Sequence, residues 1–183
     1  MNALPDTPLL SDDGTSASPT LFDPALSDPR LLRSALGRFA TGVTVVTCAT
    51  ADGPVGLTAN SFASVSLDPP LVLWSVAKAT ARYPAFAAAR HFGIHVLGRE
   101  QEALSRSFAR SADAGFAADG ARPGIAGIPL LDGALARFEC ELDTHHDGGD
   151  HTILIGRVLR AAFREGAPLA FAGGCYGDFL PAS

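Results

Sequence analysis

The chain is short of cysteine and lysine and has no long uncharged apolar run. Its 183 residues include three cysteines and one tryptophan, and Lys78 is the sole lysine among 14 basic residues. Cys48, Cys140 and Cys175 are widely spaced, odd in number and without a CxxC pair. That argues against a disulfide framework or a zinc clip and suits a reducing cytoplasm. No stretch reaches the roughly 18 uncharged apolar residues of a membrane-spanning helix; the nearest, from Leu71, meets Lys78 and Arg82. The first residues lack a cationic segment leading into an apolar one, so no secretory signal is expected. Basic clusters are absent too. Five of the 19 acids (Asp6, Asp12, Asp13, Asp23, Asp28) precede the first base, Arg30, leaving 14 acids against 14 bases beyond it. The net charge of −5 therefore belongs to the N-terminal stretch, and nothing reads as a nucleic-acid footprint. No GxGxxG follows a strand and opens a helix, which argues against a Rossmann-type dinucleotide site. No GxSxG elbow supports a serine hydrolase.

What is present is apolar for a non-membrane chain, at 47% hydrophobic residues and a mean hydropathy of +0.20. That excess suits an oligomer hiding surface against a copy of itself. The length fits one domain. Residues 1 to 27, with Pro5, Pro8, Pro19 and Pro24 among Ser, Thr and Asp, are expected to form a mobile acidic, Pro-rich extension, leaving 28 to 183 as the domain. Asp28-Pro29 predicts an N-cap and first helical residue, with Leu32, Leu36 and Phe39 at helical spacing to about residue 39. Strands are predicted over Thr41 to Thr50, Val55 to Asp68, Leu71 to Ser75, Phe92 to Leu97, Leu135 to Thr144, Thr152 to Phe163 and near Pro168 to Tyr176. Asp52-Gly53 signals a hairpin, and Pro69-Pro70 a corner. Thr80 is expected to cap a short helix through Ala89, Arg99 to Arg110 to be helical, and Gly115 to Gly133 to be a long loop. Many short strands and few helices predict a mainly β fold, an antiparallel Greek-key-like barrel.

Gly56 to Ser75 carries Thr58, Ala59, Asn60, Ser61, Ser64 and Ser66 where strands usually place bulk. Small hydroxyl and amide groups let a flat polar ligand approach the backbone; an ordinary solvent-facing edge strand is the other reading. Lys78, between a strand end and the Thr80 cap, offers a point charge for a phosphate, or is a solvated loop lysine. Arg82 could assist or face water. His145, His146, Asp147, Asp150 and His151 have metal-ligand chemistry, but adjacent strand histidines point to opposite faces, so no metal site is expected. His151 is either a turn residue without a role or a group set beside a hydride-transfer site.

Phe39-Ala40-Thr41-Gly42-Val43-Thr44-Val45-Val46-Thr47, Gly56-Leu57-Thr58-Ala59-Asn60-Ser61-Phe62, Ser64 to Leu73, Gly149-Asp150-His151-Thr152-Ile153-Leu154-Ile155-Gly156 and the Pro168-to-Tyr176 ending resemble, in order, the short-chain flavin reductases. These are the reductase components of two-component flavin monooxygenases. The resemblance implies an FMN-binding split barrel and a cytoplasmic homodimer that transfers a hydride from NADH or NADPH to FMN or FAD. The reduced flavin then diffuses to a separate monooxygenase. By matching position it places flavin contacts on Gly56, Leu57, Thr58, Ala59, Asn60, Ser61, Ser64, Val65 and Ser66. Ser75, Val76, Lys78 and Thr80 fall near the phosphate, with Phe108 near the flavin. Asp52, Gly53, His151 and Tyr176 border the nicotinamide, His151 orienting it. Where many relatives carry an Arg-Ser-Ser-type phosphate run, this chain reads Ala77-Lys78-Ala79-Thr80. A non-catalytic flavin carrier or sensor, or a reductase of ferric iron or a cobalt corrin, are the competing readings.

Overall fold

The computed structural model describes residues 18–113, 116 and 121–180. Most of the predicted N-terminal extension lies outside these; residues 18–27 form neither helix nor strand. The chain opens with α1 (Pro29–Leu36), capped by the Asp28 carboxylate, which accepts from the Arg30 N–H at 2.9 Å. The helix stops at Gly37 rather than running to residue 39, and the Gly37 carbonyl accepts from the Gly173 N–H.

The predicted run from Thr41 divides into β1 (Thr41–Gly42) and β2 (Thr44–Thr50), because Val43 turns its hydrogen bonds to Leu97 and Leu169. Ala51 and Asp52 then make a two-residue turn into β3 (Gly53–Ala59). The run predicted from Val55 to Asp68 is broken at Asn60–Phe62, giving a separate β4 (Ala63–Leu67). The corner at Asp68–Pro69 leads into β5 (Pro70–Ala77). Next come α2 (Tyr83–Ala88), β6 (His91–Val96), a 3₁₀ turn over Arg99–Gln101 and α3 (Glu102–Arg110). Thr80 does not cap α2: Pro84 sets its start, Arg82 holds the cap position, and the Thr80 hydroxyl only accepts a long 3.4 Å bond from the Arg82 N–H. The described part of the expected 115–133 loop contains β7 (Arg122–Pro123) and β8 (Pro129–Leu130).

The long hairpin is β9 (Ala136–Gly148) and β10 (His151–Phe163). Its turn is only Gly149-Asp150, because Gly149 takes φ +76°, a conformation glycine reaches without steric cost. His145 and His146 therefore lie in β9, opposite Leu154 and Ile153, and not in a seven-residue turn. The ending is two strands instead of one, β11 (Leu169–Ala172) and β12 (Cys175–Asp178), turning at Gly173-Gly174.

The main sheet has the order β3-β2-β6-β9-β10-β5-β4 and is antiparallel throughout; β1, β11 and β12 form a second sheet. Register shifts between Ser64 and Ser66, Ile155 and Gly156, and Val158 and Arg160 add twist that helps the sheet curl. Closure shows in the Ser61 hydroxyl, just past β3, which donates to the Ser75 carbonyl and accepts from the Ser75 N–H on β5. The fold is the split barrel expected from the sequence. β2 is buried on both faces. Val46 and Cys48 join Trp74, Val76, Phe92 and Leu154 in the barrel core, while Val43 and Val45 pack with Phe108, Leu131 and Leu169 outside it.

A buried polar layer that sequence patterning missed ties residues 125–131 to the sheet. The Thr47 hydroxyl donates to the Pro129 carbonyl at 2.6 Å, and the Glu139 carboxylate accepts from the Ile125 N–H at 2.7 Å. Arg160 grips the same carboxylate at 2.7 and 2.6 Å, holding it below the usual range although the residue is buried. His95 is bonded to the Val45 carbonyl through Nδ1 at 3.2 Å and accepts from the Leu131 N–H through Nε2 at 3.2 Å, which fits the neutral ring protonated at Nδ1. Burial pushes its pKa down to about 4.

Two predictions arise. The unfolded chain takes up a proton at His95 near the ordinary imidazole pKa, and the folded chain only near pH 4. Stability is therefore present above about pH 6.5 and lost as pH falls toward 4, by about 2 kcal/mol between pH 7 and pH 5. Urea melts of the wild type and His95→Gln at both pH values measure this; an equal pH slope in both proteins contradicts it. The second concerns Gly56, where an added Cβ would sit 2.3 Å from the Phe108 ring. Gly56→Ala should destabilise the fold by about 1–3 kcal/mol through overpacking, measured as a lower urea midpoint.

Candidate active site

β3 is an edge strand of the main sheet, so its outer backbone groups are open to partners. Side chains alternate along it: Val55, Leu57 and Ala59 pack against the barrel core, while Gly56 and Thr58 face α3. The Thr58 hydroxyl donates to the Ser105 carbonyl at 2.6 Å, and the Gly56 N–H to the Ala112 carbonyl at 2.8 Å. Leu57 thus offers a ligand backbone and little else. Beyond the strand, Asn60 is exposed and Ser61 is committed to Ser75.

β5 forms the facing wall. Val76 is fully buried in the core, leaving Ser75 and Ala77 on the outer side. Ser64 pairs with Val72 and Ser66 with Leu71, with Val65 bulged between them. The hydroxyl stripe therefore runs along β5 from Ser75 away from Lys78. Lys78 lies at the other end, where its N–H donates to the Asp150 carbonyl at 2.9 Å. Its ammonium bonds the Gly149 carbonyl at 2.6 Å and pairs with the Asp147 carboxylate.

His151 begins β10, opposite Ala77. Its Nδ1 meets the Asp150 carboxylate at 2.7 Å, which holds that carboxyl below its ordinary range. Nε2 has no partner among the described residues, so it is the ring nitrogen able to meet a ligand. Thr152 follows, its hydroxyl 2.9 Å from the Tyr83 hydroxyl. On the other side of α3, the Tyr176 hydroxyl is 2.8 Å from the Ser105 hydroxyl, and the Arg106 guanidinium lies 4.8 Å from the Tyr176 ring centre.

Most residues singled out in the sequence thus converge: Thr58 reaches Tyr176 through Ser105, Ser61 bonds Ser75, and Lys78 shares a turn with His151. Phe108 is fully buried beneath Gly56 and stacks edge-on with Phe116, so its ring supports the wall and presents no face to a ligand. Asp52 lies in the hairpin turn and Gly53 opens β3, about 20 Å of strand from Ala59. Sequence reasoning missed Tyr83, Ser105 and Asp147 as partners. Only Asp147 gave a signal, as part of the acidic and histidine-rich segment.

Cys48 and Cys140 are core thiols whose pKa burial pushes up to about 12. Among the described residues no group of three His, Cys, Asp or Glu is placed to hold a metal, and no helix is long and apolar enough to cross a membrane. A separate cleft of about 220 Å³ is lined by Arg122, Asp132, Arg137 and Arg164. Its arginines are already paired with Asp132, Glu139 and Glu100, and it shares no residue with the site above.

The chain is 55% identical over 161 residues to the FMN reductase (NADH) SmoA of Agrobacterium fabrum, covering 87% of this chain and 91% of that one. It is 47% identical to the reductase component of the flavin-dependent trigonelline monooxygenase of Acinetobacter baylyi, covering 86% of this chain but only 51% of that protein. A solved structure of the Streptomyces globisporus NADH:FAD oxidoreductase SgcE6, in complex with NAD and FAD fragments, superposes with a TM-score of 0.79 at 40% identity, covering 89% of this chain and 98% of that one. Residues 36–179 match the family described as flavin reductase like domain, and the chain belongs to that family.

Proposed function

We propose that this chain is an NAD(P)H-dependent flavin reductase that reduces FMN or FAD and supplies the reduced flavin to a separate monooxygenase. The observation that carries the reading is the meeting of three parts: the open wall from Gly56 to Ser61, the Ser75-to-Lys78 strand end and the His151 turn, joined by the Ser61–Ser75 and Lys78–Gly149 bonds. The residues fit a flavin. The small side chains of Thr58, Ala59, Asn60 and Ser61 admit a flat ring, with Ser64, Val65 and Ser66 extending the same wall. Lys78 is a cation for the phosphate at the opposite end, with Ser75, Val76 and Thr80 beside it through backbone and hydroxyl groups.

Bound flavin supplies the redox chemistry, accepting a hydride from the nicotinamide and passing two electrons onward. The protein supplies placement. The two walls would hold the flavin ring, and holding both reactants would turn an encounter of two solutes into a reaction between oriented groups. His151, steadied through Nδ1 by Asp150, turns Nε2 toward the nicotinamide carboxamide or ribose. Tyr176, held by Ser105, would border the nicotinamide on the side of Thr58. N–H groups along the wall stabilise negative charge on the reduced ring.

The domain spans residues 28 to 183, and the protein works in the cytoplasm, where its three free thiols stay reduced. It acts as a homodimer. α1 buries none of its residues, and Phe39 and Phe163 are 79% and 84% exposed, apolar groups that a second copy would cover. Light scattering should return twice the 18.9 kDa chain mass, and a monomer at micromolar concentration contradicts the dimer.

Mixing the protein with FMN or FAD and NADH or NADPH and following nicotinamide absorbance tests the activity. Sustained oxidation is expected, and a flavin-bound protein that leaves both nicotinamides untouched points to a carrier. His151→Ala should raise the nicotinamide KM about tenfold, the size of one lost hydrogen bond to a charged or strongly polar group, with flavin affinity nearly unchanged. An unaltered KM and kcat removes His151 from the mechanism.

A further inference from the structure

Lys78 carries the only lysine ammonium of the chain, and that ammonium is held by the turn that carries His151. Asp147 lies across the β9–β10 ladder from Thr152 and gives Lys78 its carboxylate partner. Gly149 and Asp150 complete the clamp, taking the Lys78 ammonium and N–H through their carbonyls. An ammonium has three N–H donors, and two are committed here. A phosphate arriving at Lys78 therefore finds one open donor and an adjacent like-charged carboxylate.

We propose that Asp147 is a positioning residue that competes with the flavin phosphate for Lys78 and links phosphate capture to the placement of His151. This rests on the flavin reductase reading. Phosphate weakens the Lys78–Asp147 pair by competing for the ammonium and by repelling the carboxylate. The turn then loses one of its three bonds to Lys78 and keeps those of Gly149 and Asp150, while His151 keeps Asp150 as its partner. Coupling between binding events is reciprocal, so a nicotinamide that holds His151 where the loosened turn places it also favours phosphate on Lys78. Asp147 is largely solvent-exposed, so its replacement leaves the core intact.

The test compares FMN with riboflavin, which has the same ring and no phosphate, by fluorescence titration of the full chain. Asp147→Asn should bind FMN about fivefold more tightly, the scale of a partly exposed ion pair, while riboflavin affinity stays within about twofold. Lys78→Met should abolish the preference for FMN over riboflavin, and adding Asp147→Asn to it should change nothing further. At saturating flavin, Asp147→Asn should shift the nicotinamide KM and leave kcat in place. The proposal is overturned if Asp147→Asn moves both flavins equally, or tightens FMN as much without Lys78. A wild type that binds neither of these flavins nor FAD overturns the reductase reading as well. A wild type that prefers and reduces FMN, with Asp147→Asn indistinguishable from it, overturns this proposal alone.

Discussion

The seat of Phe108 on Gly56 is the contact on which the site depends. Because Gly56 has no Cβ, an aromatic ring can lie against the middle of an edge strand, and α3 docks at that point. Once α3 is docked, its backbone meets Thr58 at Ser105 and Arg82 at Phe108, and its Ser105 hydroxyl meets Tyr176. One missing methyl group thus lets a helix link three regions of chain that are far apart in sequence. The same docking puts the Ala112 carbonyl on the Gly56 N–H, so the middle of the edge strand is satisfied while its end at Asn60 stays exposed. An edge strand otherwise offers unpaired groups to any neighbour.

The polar layer of Thr47, His95 and Glu139 has a different task. Each side chain reaches from the main sheet to a backbone group of residues 125–131, a segment whose own strand pairs only with β7. Buried polar groups are tolerated because each has a partner, and Glu139 has a bidentate arginine besides. Apolar side chains at these positions would leave the Ile125 and Leu131 N–H groups without acceptors. The layer fixes residues 125–131, and with them Leu131, which packs in one cluster with Phe108.

The electrostatics of the site are local. Lys78, Asp147, Asp150 and His151 form an alternating set around one two-residue turn, with their heads in water or half in water. Pairs of this kind contribute little to folding but respond to an arriving charge. The strongly held pair, Glu139 with Arg160, sits on the structural layer and not at the ligand walls. Stability and responsiveness are thus assigned to different ion pairs.

What the sequence determined by itself follows short-range rules. The small-residue stripe from Gly56 to Ser66, the glycine turn before His151, the solitary lysine and the period of the strands were all legible, and with them the barrel class and most of the wall. These features arise from neighbouring residues: φ at a glycine, alternation along a strand, a cap beside a proline. The division of the runs at Val43 and Asn60 was not legible, because Val43 is taken by Leu97 and Leu169, and Ser61 by Ser75. Nor were the bonds from Thr58 to Ser105 and from Ser105 to Tyr176, which join residues 47 and 71 positions apart. Only the tertiary structure seated Phe108 beneath Gly56. Register and closure decide which distant backbone groups meet, and that choice is made by the whole sheet at once, not by any local segment.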